Sequence, residues 1–168
     1  INKYFEYGDK IRQGILNLRA KISAPNHLIE HENEIKDIER EITLFHANAV
    51  KEILNDTKID LDLLGFHGQT IFHDSKKKIT KQLGDGKLLS QLIKKKVVYD
   101  FRQNDLKNGG QGAPLTPIFH NLIANKYLKK ELDRTYSVNF INIGGISNLT
   151  KTVKWDKLDK KIEFIEAC

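Results

Sequence analysis

The sequence has no methionine, one cysteine, one tryptophan and three prolines in 168 residues. A lone thiol, Cys168, cannot close an intramolecular disulfide or supply a cysteine-based zinc site. It fits a reducing compartment, so a cytoplasmic location is expected. No apolar run approaches the roughly 20 residues that a membrane-spanning helix needs, and nothing at the start has the order of a signal peptide. No membrane partner is therefore expected. Neither sign of charge dominates: 28 Lys+Arg against 22 Asp+Glu leave a net charge of +6. The basic runs Lys76-Lys77-Lys78 and Lys94-Lys95-Lys96 carry no interleaved aromatics. They read as solvated surface, not as a nucleic-acid interface. The missing initiator, together with strand-like residues at both ends, gives the expectation that the chain is a fragment.

What is present is an α/β pattern. Ile1 to Tyr7 reads as an edge strand. Asp9 is placed to N-cap a helix through Lys21, with Ile11, Ile15, Leu18 and Ile22 on one face. Ser23-Ala24-Pro25-Asn26 breaks it. A longer helix to about Asn55 carries the stripe Ile35, Ile38, Ile42, Phe45, Ala49 and Ile53, with Glu32, Glu34, Asp37, Glu39, Arg40 and Glu41 assigned to its charged face. Strands are expected at Leu61 to Phe66, Ile71-Phe72, Thr80 to Leu83 and Val97 to Phe101, with a short helix at Leu88 to Lys94. Pro114 suits the first position of a helix to about Lys130. Val138 to Ile143 and Ile146 to Val153 form a hairpin across Gly144-Gly145, and Ile162 to Ile165 starts a third strand. A domain boundary is expected near Ser137.

The chemistry concentrates in three clusters. Asp100 to Leu115 holds two carboxylates, one arginine, three glycines and a proline. Asp100 and Asp105 could act as general bases or as magnesium-associated carboxylates, and Arg102 could pair with either or hold an anionic group in two-pronged fashion. An isolated Asp-Phe-Arg is more often a loop ion pair, but the glycine cost of Gly109-Gly110-Gln111-Gly112-Ala113-Pro114 favours a functional loop. His67-Gly68-Gln69-Thr70 supplies donors and acceptors suited to a ligand with several hydroxyls. For His67, binding and structural roles stay open; a metal pair with His73 is a weak signal. Asn142 to Asn148 is a glycine turn that could form an anion-binding nest, or be a plain hairpin turn. The first two clusters each follow an apolar strand and can converge at one sheet edge. His27, His31, His46 and His120 read as structural or exposed.

In this order, the segments Gly65 to Thr70, Gln82-Leu83-Gly84-Asp85, Val97 to Arg102 with Asp105, Gly109 to Leu115 with Pro117 and Phe119-His120, and Asn142 to Asn148 resemble the anhydro-N-acetylmuramic acid kinase family. The resemblance runs over nearly the whole chain. It implies the actin-like ATPase and sugar kinase superfamily, with its ribonuclease H-like α/β fold and two domains flanking a nucleotide cleft. Residues 1–136 would form most of the first domain without its N-terminal strands, and 137–168 the beginning of the second. The implied reaction opens the 1,6-anhydro ring with water and phosphorylates O6 from ATP with Mg2+, giving N-acetylmuramic acid 6-phosphate in peptidoglycan recycling. Asp100 and Asp105 would be catalytic. His67, Gly68, Gln69, Thr70 and Arg102 would bind the sugar, and Gly144, Gly145 and Asn148 would face phosphate. No residue of this chain is assigned to metal. A homodimer of the full-length protein is left open. Departures exist: the family's Ser-Gly-Thr-Ser-x-Asp-Gly phosphate loop and its Asp-Thr-Gly-Pro-Gly-Asn segment, whose Asp would activate water, have no counterpart here. Lys107-Asn108 stands where small apolar residues are usual. The alternative is a non-catalytic sugar- or partner-binding module that retains the fold.

Overall fold

Helix α1 (Asp9–Lys21) buries Ile11, Ile15 and Leu18, and Ile22 follows on the same side. Helix α2 (His27–Glu30) is a single turn. Helix α3 (Glu32–Thr57) turns Ile35, Ile42, Thr43 and Ala47 inward. These residues share one core with Phe66, Ile71, Leu83, Leu89 and Ile93. Each such aliphatic side chain contributes about 1.5–3 kcal/mol by leaving water. The computed structural model describes residues 2–124, 126, 138–143, 147–152 and 162–167.

Strands β1 (Leu63–Phe66) and β4 (Lys96–Tyr99) pair in parallel, Leu63 beside Lys96 and Phe66 beside Tyr99. Between them in sequence come the antiparallel hairpin β2 (Gln69–Asp74) and β3 (Ile79–Leu83), then helix α4 (Gly86–Ile93). The Asp85 side chain caps α4 by accepting from the N–H groups of Lys87 and Leu88 at 2.9 and 3.0 Å. Helix α5 (Phe101–Lys107) follows β4 directly. Backbone contacts divide the chain into two units, Ile1–Gly112 and Ala113–Cys168. In the second, α6 (Pro117–Ile123) accompanies an antiparallel meander of β5 (Val138–Asn142), β6 (Ser147–Thr152) and β7 (Ile162–Ala167). The hairpin and third strand agree with the sequence pattern. The expected boundary near Ser137 lies outside the described residues, as does Trp155.

Four expectations need correction. Residues 2–8 form no strand; Lys3 pairs with Glu52 and Asp56 at 2.5 and 2.6 Å, and the Tyr7 ring packs 4.7 Å from Phe45. Side-chain contacts to α3 hold this segment in place of a sheet ladder. Asp9 is the first helical residue, not the cap; Gly8 precedes it, and the Asp9 carboxylate accepts from Arg12 at 2.7 Å. The first half of the Asp100 to Leu115 stretch is helix α5, not loop. Finally, α6 starts at Pro117, not Pro114. In a helix starting at Pro114, the residue at 117 must donate its N–H to the first turn, which proline cannot do; at N1 that N–H is dispensable.

His46 lies at the centre of an aromatic group. Its Nδ1 is 2.8 Å from the Ile42 carbonyl, which can only accept, so Nδ1 carries the proton and Nε2 faces the Tyr7 hydroxyl at 3.5 Å. Phe45 and Phe66 flank the ring at 5.5 and 5.0 Å. Burial pulls the His46 pKa below its ordinary 6.5, with the Ile42 hydrogen bond opposing. The unfolded chain therefore binds a proton more readily than the folded one. Stability is fully present above the unfolded value and falls as pH drops from about 7.5 toward 5. Thermal melts over that range should show this loss, and His46→Asn should flatten it; an unchanged slope in the variant would assign the dependence elsewhere.

Parallel sheets are normally covered on both faces and flanked by further strands. Here Leu63 is 53% and Val98 43% exposed, and no third strand joins β1 or β4 among the described residues. The isolated 168-residue chain should consequently self-associate through these edges. Light scattering should report oligomers or aggregates; a monodisperse, cooperatively melting monomer is the contrary result.

Candidate functional site

The register of β1 and β4 decides what stands at their shared end. Phe66 opposes Tyr99, so the next residues, His67 and Asp100, leave the two strands side by side at the carboxyl edge. Such edges are where parallel α/β sheets bind ligands. His67 is exposed, and its Nδ1 lies 2.9 Å from the Gly68 carbonyl. That contact places the proton on Nδ1 and leaves Nε2 as an outward acceptor for a hydroxyl. Gly68 has φ +70, and a Cβ there would collide with the Leu83 carbonyl. Only glycine lets the chain turn from β1 into β2 at this point.

Asp100 sits in the left-handed region at φ 62, just before α5, and its carboxylate caps nothing. This conformation costs a non-glycine residue about 1 kcal/mol or more, a strain found often at functional positions. The carboxylate is exposed at the strand edge.

Arg102 and Asp105 are both engaged with the glycine loop. Both act on Gly112. The Asp105 Oδ2 accepts from the Gly112 N–H at 2.7 Å, and Arg102 Nη1 donates to the Gly112 carbonyl at 2.8 Å. The Asp105 carbonyl also accepts from the Gly110 N–H at 2.9 Å. Gly112 has φ +73, and a methyl there would press on His73 and Leu106. Arg102 is half-buried; its Nε has no hydrogen-bond partner, and burial lowers its pKa. The two do not form an ion pair with each other.

Gln69 and Thr70 begin β2 as half-buried residues, not as loop. Thr70 Oγ1 accepts from Gln82 Nε2 at 3.3 Å; the same amide donates to Thr80 Oγ1 at 2.7 Å, and its buried Oε1 has no partner. His73 Nδ1 rests 3.2 Å from Thr80 Oγ1. Among the described residues no group of three or more His, Cys, Asp and Glu could hold a metal. Gly144 and Gly145 lie outside the described residues. Asn148 lies in β6, paired with Asn142 and Glu166.

Three supports escaped the sequence pattern. Glu39, assigned to the charged face of α3, points inward. Its Oε1 accepts from Lys81 Nζ at 2.7 Å and from the Gly84 N–H at 3.2 Å. One turn on, fully buried Thr43 accepts from the Asp85 N–H at 2.9 Å and donates to the Glu39 carbonyl at 2.7 Å. The spacing did hold a signal: Glu39 is four residues after Ile35 and three before Ile42, on the apolar stripe itself. Lys78 is the third, with Nζ 2.8 Å from the Gly110 carbonyl.

A family model for anhydro-N-acetylmuramic acid kinase matches residues 1–157. The chain belongs to the anhydro-N-acetylmuramic acid kinase family. Relatives carrying that name include proteins of Pelagibacter ubique, 51% identical over 95% of this chain and 41% of the relative. The Rhizobium etli protein is 45% identical over 72% of this chain and 32% of the relative. That of Agrobacterium fabrum is 40% identical over 88% and 39%. The chain thus spans about two-fifths or less of the length of these relatives. Membership implies the sugar-kinase and actin-like ATPase fold, with which the observed α/β elements agree. No helix among the described residues is long and apolar enough to cross a membrane.

The geometry separates the two carboxylates. Asp105→Ala should leave the Gly112 N–H without its acceptor and lower stability by about 1–3 kcal/mol, the usual cost of such a loss. Asp105→Asn, which can still accept there, should recover most of it. Denaturant titrations of both variants in the complete protein check this; equal stability of Asp105→Ala and the parent would remove Asp105 from the brace.

Proposed function

We propose that this chain forms the sugar-binding edge of an ATP-dependent anhydro-N-acetylmuramic acid kinase of peptidoglycan recycling. The observation that carries the proposal is the emergence of His67 and Asp100 side by side from the paired strands β1 and β4, in a chain of this family. In the complete enzyme, water adds at the anomeric carbon and the bridging C–O bond breaks. O6 then takes the γ-phosphoryl group, giving N-acetylmuramic acid 6-phosphate. His67 Nε2 accepts from a sugar hydroxyl, and Gln69 and Thr70 supply further polar contacts from the start of β2. Asp100, with its carboxylate uncommitted, is the acid–base candidate at this edge. Arg102 and Asp105 shape the loop that completes the edge.

Residues 1–136 are assigned to the first domain, without its N-terminal strands, and 137–168 to the start of the second. Gly144, Gly145 and Asn148 are the phosphate-facing residues by family resemblance. ATP is the second substrate. Mg2+ normally binds through one or two carboxylates together with substrate phosphates. The described residues offer no dedicated cluster for it. The enzyme is assigned to the cytoplasm, with no nucleic-acid partner.

A coupled assay for ADP formation with anhydro-N-acetylmuramic acid tests the assignment. The complete protein should turn over, and the 168-residue chain alone should not. Asp100→Asn in the complete protein should cut kcat by roughly a hundredfold, the scale of a lost acid–base group. His67→Ala should raise the KM for sugar more than that for ATP. Normal turnover of Asp100→Asn would remove that carboxylate from the reaction, and no turnover by the complete protein would overturn the function.

A further inference from the structure

We propose that Lys78 is a positioning residue for the sugar edge, acting through the glycine loop; this rests on the sugar-site assignment above. The sequence places Lys78 in a basic run that reads as solvated surface. The structure gives it a specific task. It closes the β2–β3 turn with φ 57, its N–H 3.3 Å from the Ser75 carbonyl. Its Nζ then donates to the carbonyls of Gly110 at 2.8 Å and Gly109 at 3.3 Å. One ammonium thus satisfies two successive carbonyls of a segment that has no side chains of its own to anchor it.

The effect is best seen as a count of what holds the loop. The Gly110 N–H is held by the Asp105 carbonyl and the Gly112 N–H by the Asp105 carboxylate. The Gly112 carbonyl is held by Arg102. All three come from α5. Lys78 alone among these ties arrives from the hairpin, whose first strand carries Gln69 and Thr70. Removing it leaves the loop's internal shape but takes away the hydrogen bonds that tie the loop to the hairpin, leaving the packing of His73 against Gly112 as the contact with β2. The distance between two parts of the sugar edge is then no longer fixed before the sugar binds, and ordering it becomes a cost of binding. A charged donor to carbonyl oxygen is stronger than a neutral one, so the tie contributes even at an exposed position.

The test uses the complete kinase that carries this segment, with Lys78→Met, which keeps length and removes charge, and Lys78→Arg, which keeps donors. Amide hydrogen exchange without substrate should be about tenfold faster at Gly110 and Gly112 in Lys78→Met, and near the parent rate in Lys78→Arg. The KM for anhydro-N-acetylmuramic acid should rise about tenfold in Lys78→Met, equivalent to ~1.4 kcal/mol. Its kcat and KM for ATP should stay within about twofold of the parent, and Lys78→Arg should restore the sugar KM. Unchanged exchange, or faster exchange with an unchanged sugar KM, would overturn the proposal. A parent protein that does not turn over the sugar would overturn the sugar assignment instead. The two failures are told apart because the exchange comparison needs no substrate.

Discussion

Four residues of parallel pairing, Leu63–Phe66 beside Lys96–Tyr99, are the constraint on which the site depends. In a parallel ladder, side chains one step beyond a matched pair leave from the same edge. A slip by one residue would invert every side chain of one strand. It would also withdraw His67 from Asp100. The register is held from below by burial of Phe66, which joins the core shared by α1, α3 and α4. Above it, the chain must turn sharply twice, through Gly68 at φ +70 and through Asp100 at φ 62.

The rest of unit 1 serves to keep those turns in place. α3 does more than bury an apolar stripe. Glu39 and Thr43 reach the backbone at Gly84 and Asp85, the junction from which α4 starts. α4 in turn leads back to β4. The glycine loop after α5 is held from two sides, by α5 itself and by the hairpin turn. Polar side chains on backbone groups, in place of ion pairs between side chains, do most of this work. An exposed ion pair is worth 0–1 kcal/mol, whereas an unmet buried backbone N–H costs more.

The periodic elements were legible. The i, i+4, i+7 spacing of Ile11, Ile15 and Leu18 marks α1, and the convergence of the two polar clusters at one strand edge follows from their positions after apolar runs. Binary pattern failed where a helix was too short to show a period. The seven residues of α5 hold a single buried side chain, Leu106, and so read as loop. Pattern also failed for Glu39, because a charged residue on an apolar stripe was assigned by its charge and not by its position. Lys78 had no signal at all: its role depends on a left-handed turn that brings it to a segment about thirty residues away in sequence, and no local rule encodes that. The roles expected of Arg102 and Asp105 were those of groups facing a ligand; the structure turns both toward Gly112, a choice made by geometry that residue type cannot reveal.

The loop from Asn108 to Gly112 is shaped by groups that lie outside it. Its N–H and C=O groups are what Lys78, Arg102 and Asp105 grip, and backbone groups are the same whatever side chain is attached. The instructions for its shape are therefore written elsewhere in the chain. Lys107 and Gln111 are exposed and take no part in that grip, whereas Asn108 bonds back to α5 through its side chain, Nδ2 donating to the Asn104 carbonyl at 2.8 Å. Substitution at Lys107 or Gln111 can change the surface chemistry around the loop while its path stays the same.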